Sequence, residues 1–147
     1  MFEICTFCQQ PYDNGERVKA NFVGRTKMCY KCYNQQQRVI AIDFDATLTK
    51  YSGWKGEDYK GEPLEGAKDF LRELNDLGFR IFIVTSRPLK GIDNWLKQHD
   101  MSKYVDKITN LKVAAYCYVD DRAINFSGDY NKTIEIIKNF IPYYKKP

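Results

Sequence analysis

The stretch Val39-Ile40-Ala41-Ile42-Asp43-Phe44-Asp45-Ala46-Thr47 decides how this chain of 147 residues folds. Four apolar residues in a row, three of them β-branched, read as a strand buried on both faces. That is the pattern of a parallel sheet, not the alternation of a half-exposed one. The strand then ends in two carboxylates two residues apart. Two more apolar runs repeat the arrangement. Ile81-Phe82-Ile83-Val84 leads into Thr85-Ser86-Arg87, and Tyr116-Cys117-Tyr118-Val119 leads into Asp120-Asp121, with Lys112 alone between them. In an open α/β sheet the carboxyl ends of the strands face one crevice, where ligands bind. This crevice collects four carboxylates, a pair of hydroxyls and an ammonium, which suits a divalent cation and a phosphoryl group.

Outward from the first strand (39–44), an irregular stretch over 49–63 is rich in glycine and aromatics. A helix is expected over 64–77, with Leu64, Ala67, Phe70, Leu71 and Leu74 on one face and Gly78 as its stop. Strand 79–84 leads to Pro88, which opens a helix running to about 99 with Ile92, Trp95 and Leu96 as its apolar face. A short strand near 105–109, the strand 116–120 and a helix near 130–140 complete the series. Ile134, Ile137 and Ile141 share one side of that last helix, which should close the domain. Cys117 is expected to be a small apolar filler in a buried strand. Alternating strands and helices give the fold class: α/β, a three-layer Rossmann-like parallel sheet with both faces covered, spanning residues 38–147.

Residues 1–37 read as a separate small module. Cys5-Thr6-Phe7-Cys8 and Cys29-Tyr30-Lys31-Cys32 are two CxxC knuckles with twenty residues between them. Thiolates at that spacing close a tetrahedral cage around Zn²⁺, and with Cys5, Cys8, Cys29 and Cys32 all occupied the site is structural. Paired disulfides are the competing reading, which a reducing compartment disfavours. A segment this short buries too little apolar area to fold alone, so the metal would hold it together. The pattern resembles a treble-clef or zinc-ribbon knuckle, a kind of module that binds nucleic acid or protein, or braces a neighbour.

The net charge is +4, and most of the excess lies before residue 39, where six basic residues face three acidic ones. A modest basic surface there suits nucleic-acid contact or simple solubility. No apolar stretch approaches the roughly 18 residues of a membrane span. The start Met-Phe-Glu-Ile-Cys lacks the features of a signal peptide. The expectation is a cytoplasmic protein with no membrane partner.

At the crevice, Asp43 is placed to attack phosphorus and form an aspartyl-phosphate. Asp45 would protonate the leaving group and then deprotonate the attacking water. Asp120 and Asp121 supply hard oxygen ligands for Mg²⁺, completed by Asp43 and the backbone carbonyl of Asp45. Thr85 and Lys112 would bind the phosphoryl oxygens. Thr47, Ser86, Arg87, Arg122 and Trp54 are candidate substrate contacts, the two arginines for a second phosphate or the leaving group. An Asp-x-Asp or a Thr-Ser-Arg cap is common on its own. Their joint order at the ends of apolar strands is what carries weight.

These residues resemble the haloacid dehalogenase superfamily of phosphotransferases over residues 39–141. Asp43-x-Asp45-x-Thr47 matches the first signature motif, Thr85 the second, Lys112 the third (with Lys107 as a rival) and Asp120-Asp121 the fourth. The resemblance implies a nucleophile at Asp43 and a general acid/base at Asp45, and its second aspartate favours phosphatase or phosphotransferase chemistry. Members of the family usually carry a cap domain. Here 49–63 and 87–111 are too short for one, which implies a capless enzyme whose lid is either the zinc module or the 49–63 flap with Tyr51, Trp54, Lys55 and Tyr59. Aromatics in that flap would either stack on a base or pack against the body.

The leading expectation is therefore a Mg²⁺-dependent phosphomonoesterase acting on a phosphorylated small molecule, a nucleotide or a nucleic-acid end. The alternative is a protein that binds nucleotides or nucleic acid in the same crevice without turnover, anchored by the zinc module. A third reading makes that module a protein-interaction surface.

Overall fold

The computed structural model describes residues 2–5, 10–13, 31 and 38–147. Two short strands, β1 (Phe2–Ile4) and β2 (Pro11–Asp13), pair antiparallel. Cys5, just past β1, is buried. Cys8, Cys29 and Cys32 lie outside the described residues, and with them the zinc cage and the module boundary at residue 37.

The rest alternates as expected: β3 (Val39–Ile42), α1 (Ala67–Asp76), β4 (Arg80–Val84), α2 (Leu89–Gln98), β5 (Lys107–Thr109), β6 (Cys117–Val119) and α3 (Tyr130–Lys138). Single 3₁₀ turns sit at Ser102–Tyr104 and Tyr143–Lys145. The four-stranded sheet is parallel throughout in the order β5-β4-β3-β6, so the Asp43 strand is interior. All four residues of β3 are buried, which accounts for the unbroken apolar run.

Register fixes the first face. Ile40 lies opposite Ile81 and Ile42 opposite Ile83, and residues opposite each other in a parallel pair share a face. Those four isoleucines join Ala67 and Leu71 of α1, Ile92, Trp95 and Leu96 of α2, and Phe44, Leu48 and Met101 in one core. Phe70, expected on the buried face of α1, is partly exposed instead. The helix stops where the sequence says it should. Gly78 takes φ +83, its N–H reaches the Asn75 carbonyl, and the Phe79 N–H reaches the Leu74 carbonyl. That doubly bonded left-handed cap needs a residue without a Cβ.

On the second face, among the described residues, α3 does not form the expected buried layer. Ile134, Ile137 and Ile141 are 49, 58 and 51 % exposed, and no residue of α3 is buried. The connection from β5 to β6 supplies no helix to that face either. Only residues 110–116 join these opposite edge strands. Seven residues reach at most about 24 Å and the crossing alone takes about 14 Å, which leaves too little chain for a helix packed on the sheet. The Tyr118 hydroxyl, on this face, meets both the N–H and the carbonyl of Val113 in that linker. Val39 and Ala41, pointing the same way, are each only 1 % exposed. Cys117 is exposed rather than buried, because β6 is an edge strand. Among the described residues no helix is long and apolar enough to cross a membrane.

Candidate active site

The turn after β3 sorts its side chains by parity. Phe44, Ala46 and Leu48 are buried, while Asp43, Asp45 and Thr47 are only partly covered. The N–H groups of Leu48 and Thr49 both close on the Phe44 carbonyl at 2.9 and 3.3 Å, so the chain coils tightly just beyond the strand. Ala46 takes φ +61, a left-handed conformation uncommon for a residue with a Cβ. The two apolar anchors, Phe44 and Leu48, hold that turn in the core while the aspartates project from it.

β6 brings the other acids. The Asp43 N–H donates to the Val119 carbonyl at 2.9 Å, which aligns the ends of β3 and β6. Carboxylate oxygens of Asp43, Asp120 and Asp121 then lie within 4.8 Å of one another. Burial chiefly, with the charges of Asp120 and Asp121 adding to it and the Phe44 N–H opposing it, pushes the Asp43 carboxyl up to about 7 from an ordinary 3.8. Thr47 donates a long hydrogen bond to Asp43, at 3.4 Å. Three hard oxygen donors converging in this way fit Mg²⁺, which takes a few carboxylates and keeps water on its remaining positions.

Asp45 has a different setting. Its Oδ2 accepts from Arg87 Nε at 2.7 Å, and its Oδ1 is buried with no hydrogen-bond partner. Its side chain is therefore turned to Arg87, apart from the three-acid cluster. Arg87 is 2 % exposed, and its Nε and Nη1 are both engaged. Its Nη1 donates to the carbonyls of Gly56 and Glu57 at 3.2 Å each, and its guanidinium lies 4.6 Å from the Trp54 ring centroid. Expected as a substrate contact, Arg87 is placed where it clamps the flap to Asp45.

The flap is tied down at several further points. Trp95 Nε1 donates to the Gly61 carbonyl at 2.9 Å, and the Lys50 N–H donates to the Glu62 carbonyl at 2.8 Å. Gly61 is required, since a Cβ there would fall 1.9 Å from the Lys50 carbonyl oxygen. Asp43, Asp45, Tyr51, Trp54, Ser86, Asp120, Asp121 and Arg122 enclose a cavity of about 400 Å³, a volume in the range of small-ligand pockets.

Two expected phosphate binders, Lys112 and Thr85, are not among the residues lining the cavity. Lys112 is exposed on the 110–116 linker, its Nζ 5.8 Å from the Tyr118 ring centroid, and does not line the cavity. Lys107, its rival, lies 5.8 Å from the Phe82 ring centroid. The Thr85 hydroxyl accepts the Arg87 N–H at 3.1 Å, and of the hydroxyl pair Ser86 lines the cavity. Arg122 is left as the only cationic side chain on the wall among the described residues.

A region not singled out from sequence also reaches the site. The Tyr143 hydroxyl donates to the Ala46 carbonyl, and Arg122 Nη2 donates to the Tyr144 hydroxyl at 2.7 Å. Nearly a hundred residues separate Tyr143 from Ala46, and no spacing rule connects them.

A sequence profile of the haloacid dehalogenase-like hydrolases matches residues 10–114. The chain belongs to that family. The match spans Asp43, Asp45, Thr85 and Lys112 and stops short of Asp120-Asp121. Membership implies a hydrolase, in general a Mg²⁺-dependent phosphohydrolase. A conserved protein from Bacteroides thetaiotaomicron of known structure is similar at 20 % identity and a TM-score of 0.48, over 69 % of this chain and 89 % of that one. No curated protein matches the chain.

Proposed function

We propose that this haloacid dehalogenase-like hydrolase is a phosphomonoesterase working through an aspartyl-phosphate on Asp43, with nucleotides or phosphorylated nucleic-acid ends as substrates. The observation that carries the reading is the convergence of Asp43, Asp120 and Asp121 at two strand ends beside a separately held Asp45. Bound there, Mg²⁺ would neutralise the acidic corner and the incoming phosphate, leaving Asp43 ionised as a nucleophile.

An Asp43 oxygen bonds to phosphorus as the ester P–O bond breaks. Asp45 gives its proton to the departing oxygen. Water then attacks the acyl-phosphate, Asp45 takes the proton back, and inorganic phosphate leaves with the Asp43 carboxylate restored. Arg87 keeps Asp45 in place for both transfers through Oδ2. Tyr51 and Trp54 on the cavity wall supply aromatic surface for a base, and Trp54 is 59 % exposed. We further propose a structural Zn²⁺ on Cys5, Cys8, Cys29 and Cys32, testable by metal analysis of the purified chain.

The test is a panel of nucleotides, sugar phosphates and 5′- and 3′-phosphorylated oligonucleotides with Mg²⁺, and again with chelator. Release of phosphate that vanishes on chelation is expected. Metal-dependent nucleotide binding with no product after long incubation would replace the reading with the non-hydrolytic one.

A further inference from the structure

The Tyr143–Lys145 turn is built into the rim of the cavity at three points. Tyr143 holds the Ala46 carbonyl, directly after Asp45. The Tyr144 ring meets the ring of Tyr51 edge-on at 5.3 Å, joining the turn to the flap. The Tyr144 hydroxyl accepts from Arg122, whose Nε lies 3.6 Å from Asp121. Tyr51 and Arg122 line the cavity, and Tyr144 supports both from behind. Arg122 is 61 % exposed along its side chain and follows the acidic pair, so its remaining N–H groups are open to a ligand. Arg87, the other arginine near the site, already gives its Nε and Nη1 donors to Asp45, Gly56 and Glu57. A substrate anchored by its reacting phosphoryl group at Asp43 thus meets aromatic rings and the exposed guanidinium of Arg122 beyond it.

Resting on the phosphatase reading above, we infer that the Tyr143–Lys145 turn serves as a miniature cap, in which Tyr144 positions Arg122 and Tyr51 to select substrates whose leaving side carries both a nucleobase and a second phosphate. A nucleoside bisphosphate and a phosphorylated nucleic-acid end share that chemistry. A guanidinium forming charge-assisted hydrogen bonds to the second phosphate is worth about tenfold in affinity.

The experiment compares glycerol 2-phosphate, a nucleoside 5′-monophosphate, a nucleoside 3′,5′-bisphosphate and a 5′-phosphorylated dinucleotide. The enzymes are the unaltered protein, Tyr144→Phe, which keeps the ring and removes the hydroxyl, and a chain lacking residues 142–147. The unaltered protein is expected to favour the bisphosphate or the dinucleotide over the monophosphate by about tenfold in kcat/KM; whichever is higher identifies the source. Tyr144→Phe should raise KM for the preferred substrate several-fold, leave its kcat near the original, and leave glycerol 2-phosphate within twofold. The shortened chain should lose the preference, and residues 51–60 should exchange amide hydrogens faster.

Equal rates with mono- and bisphosphates in the unaltered protein, or a preference unchanged in both variants, would overturn the inference. An equal loss on every substrate in Tyr144→Phe would also overturn it, because Arg122 would then serve the reacting phosphoryl group. If the unaltered protein releases no phosphate from any of the four, the phosphatase reading fails. Melting shifts with the bisphosphate then decide the inference alone: a shift smaller in Tyr144→Phe supports it, and equal shifts overturn it.

Discussion

The two aspartates of the first motif are two residues apart and live by opposite rules. Asp43 faces two more carboxylates and no cation, and its carboxyl is driven up to about 7. Asp45 is paired at 2.7 Å with an arginine that is 2 % exposed. One corner of the site is left electrostatically unfinished, and a divalent cation would complete it. The other is finished internally, and its arginine doubles as the fastener of the flap. The contrast separates a carboxylate left open to a cation from one already held by an arginine.

The largest effect that would test this contrast is on catalysis. Asp43→Asn should lower turnover about a thousandfold or more, since the nucleophile is gone. The same variant should be more stable than the original protein in chelator at pH 8, because a crowded, part-buried charge has been removed. Thermal melting beside a phosphate-release assay checks both. A destabilised Asp43→Asn would break the comparison.

Asp45→Ala should show the reverse pattern in stability. Removing one partner of a buried ion pair costs about 3–5 kcal/mol in the general case. Arg87 keeps two carbonyls and the Trp54 face, so about 3 kcal/mol is expected. Urea denaturation measures it. A loss below about 1 kcal/mol would mean that the pair contributes no more than a surface one.

Next in size is the response to pH. Without metal, the folded chain holds a proton on Asp43 up to about 7, whereas an unfolded aspartate releases it near 3.8. Between those values the folded state binds more protons, so this group's contribution to stability is complete below the lower value and lost as pH rises through the upper. Mg²⁺ must displace that proton. Its apparent affinity should therefore rise toward tenfold per pH unit as pH climbs from 5 to 7, then level off. Titration calorimetry at several pH values reads this directly, and a flat profile would place the metal away from Asp43.

The smallest effect concerns the flap. Trp54→Ala removes the ring over Arg87 and should cost about 1 kcal/mol of stability while raising KM for nucleotides several-fold. A change in stability with no change in KM would make Trp54 packing alone.

Much of this was legible from the sequence, for identifiable reasons. The parallel strands announced themselves because burial on both faces forces runs such as Val39–Ile42. The acids at their ends followed, because strand ends converge. What stayed hidden depended on the path of the chain. The periodicity of Ile134, Ile137 and Ile141 shows that α3 has an apolar side, not that anything covers it. Lys112 had plausible spacing, but seven residues between β5 and β6 draw the linker across the second face of the sheet. Arg87 looked like any arginine near a site, because sequence shows charge and not burial. Tyr143 and Tyr144 reach the site only through tertiary folding.

The central claim is that Asp43, in its acidic corner, takes the phosphoryl group covalently. Rapid acid quench of the enzyme turning over a radiolabelled phosphate ester with Mg²⁺, followed by peptide mapping, measures this most directly. Label on the peptide carrying Asp43, absent from Asp43→Asn, is the predicted result. Steady turnover with label on another residue, or with no phosphoenzyme at all, would contradict it.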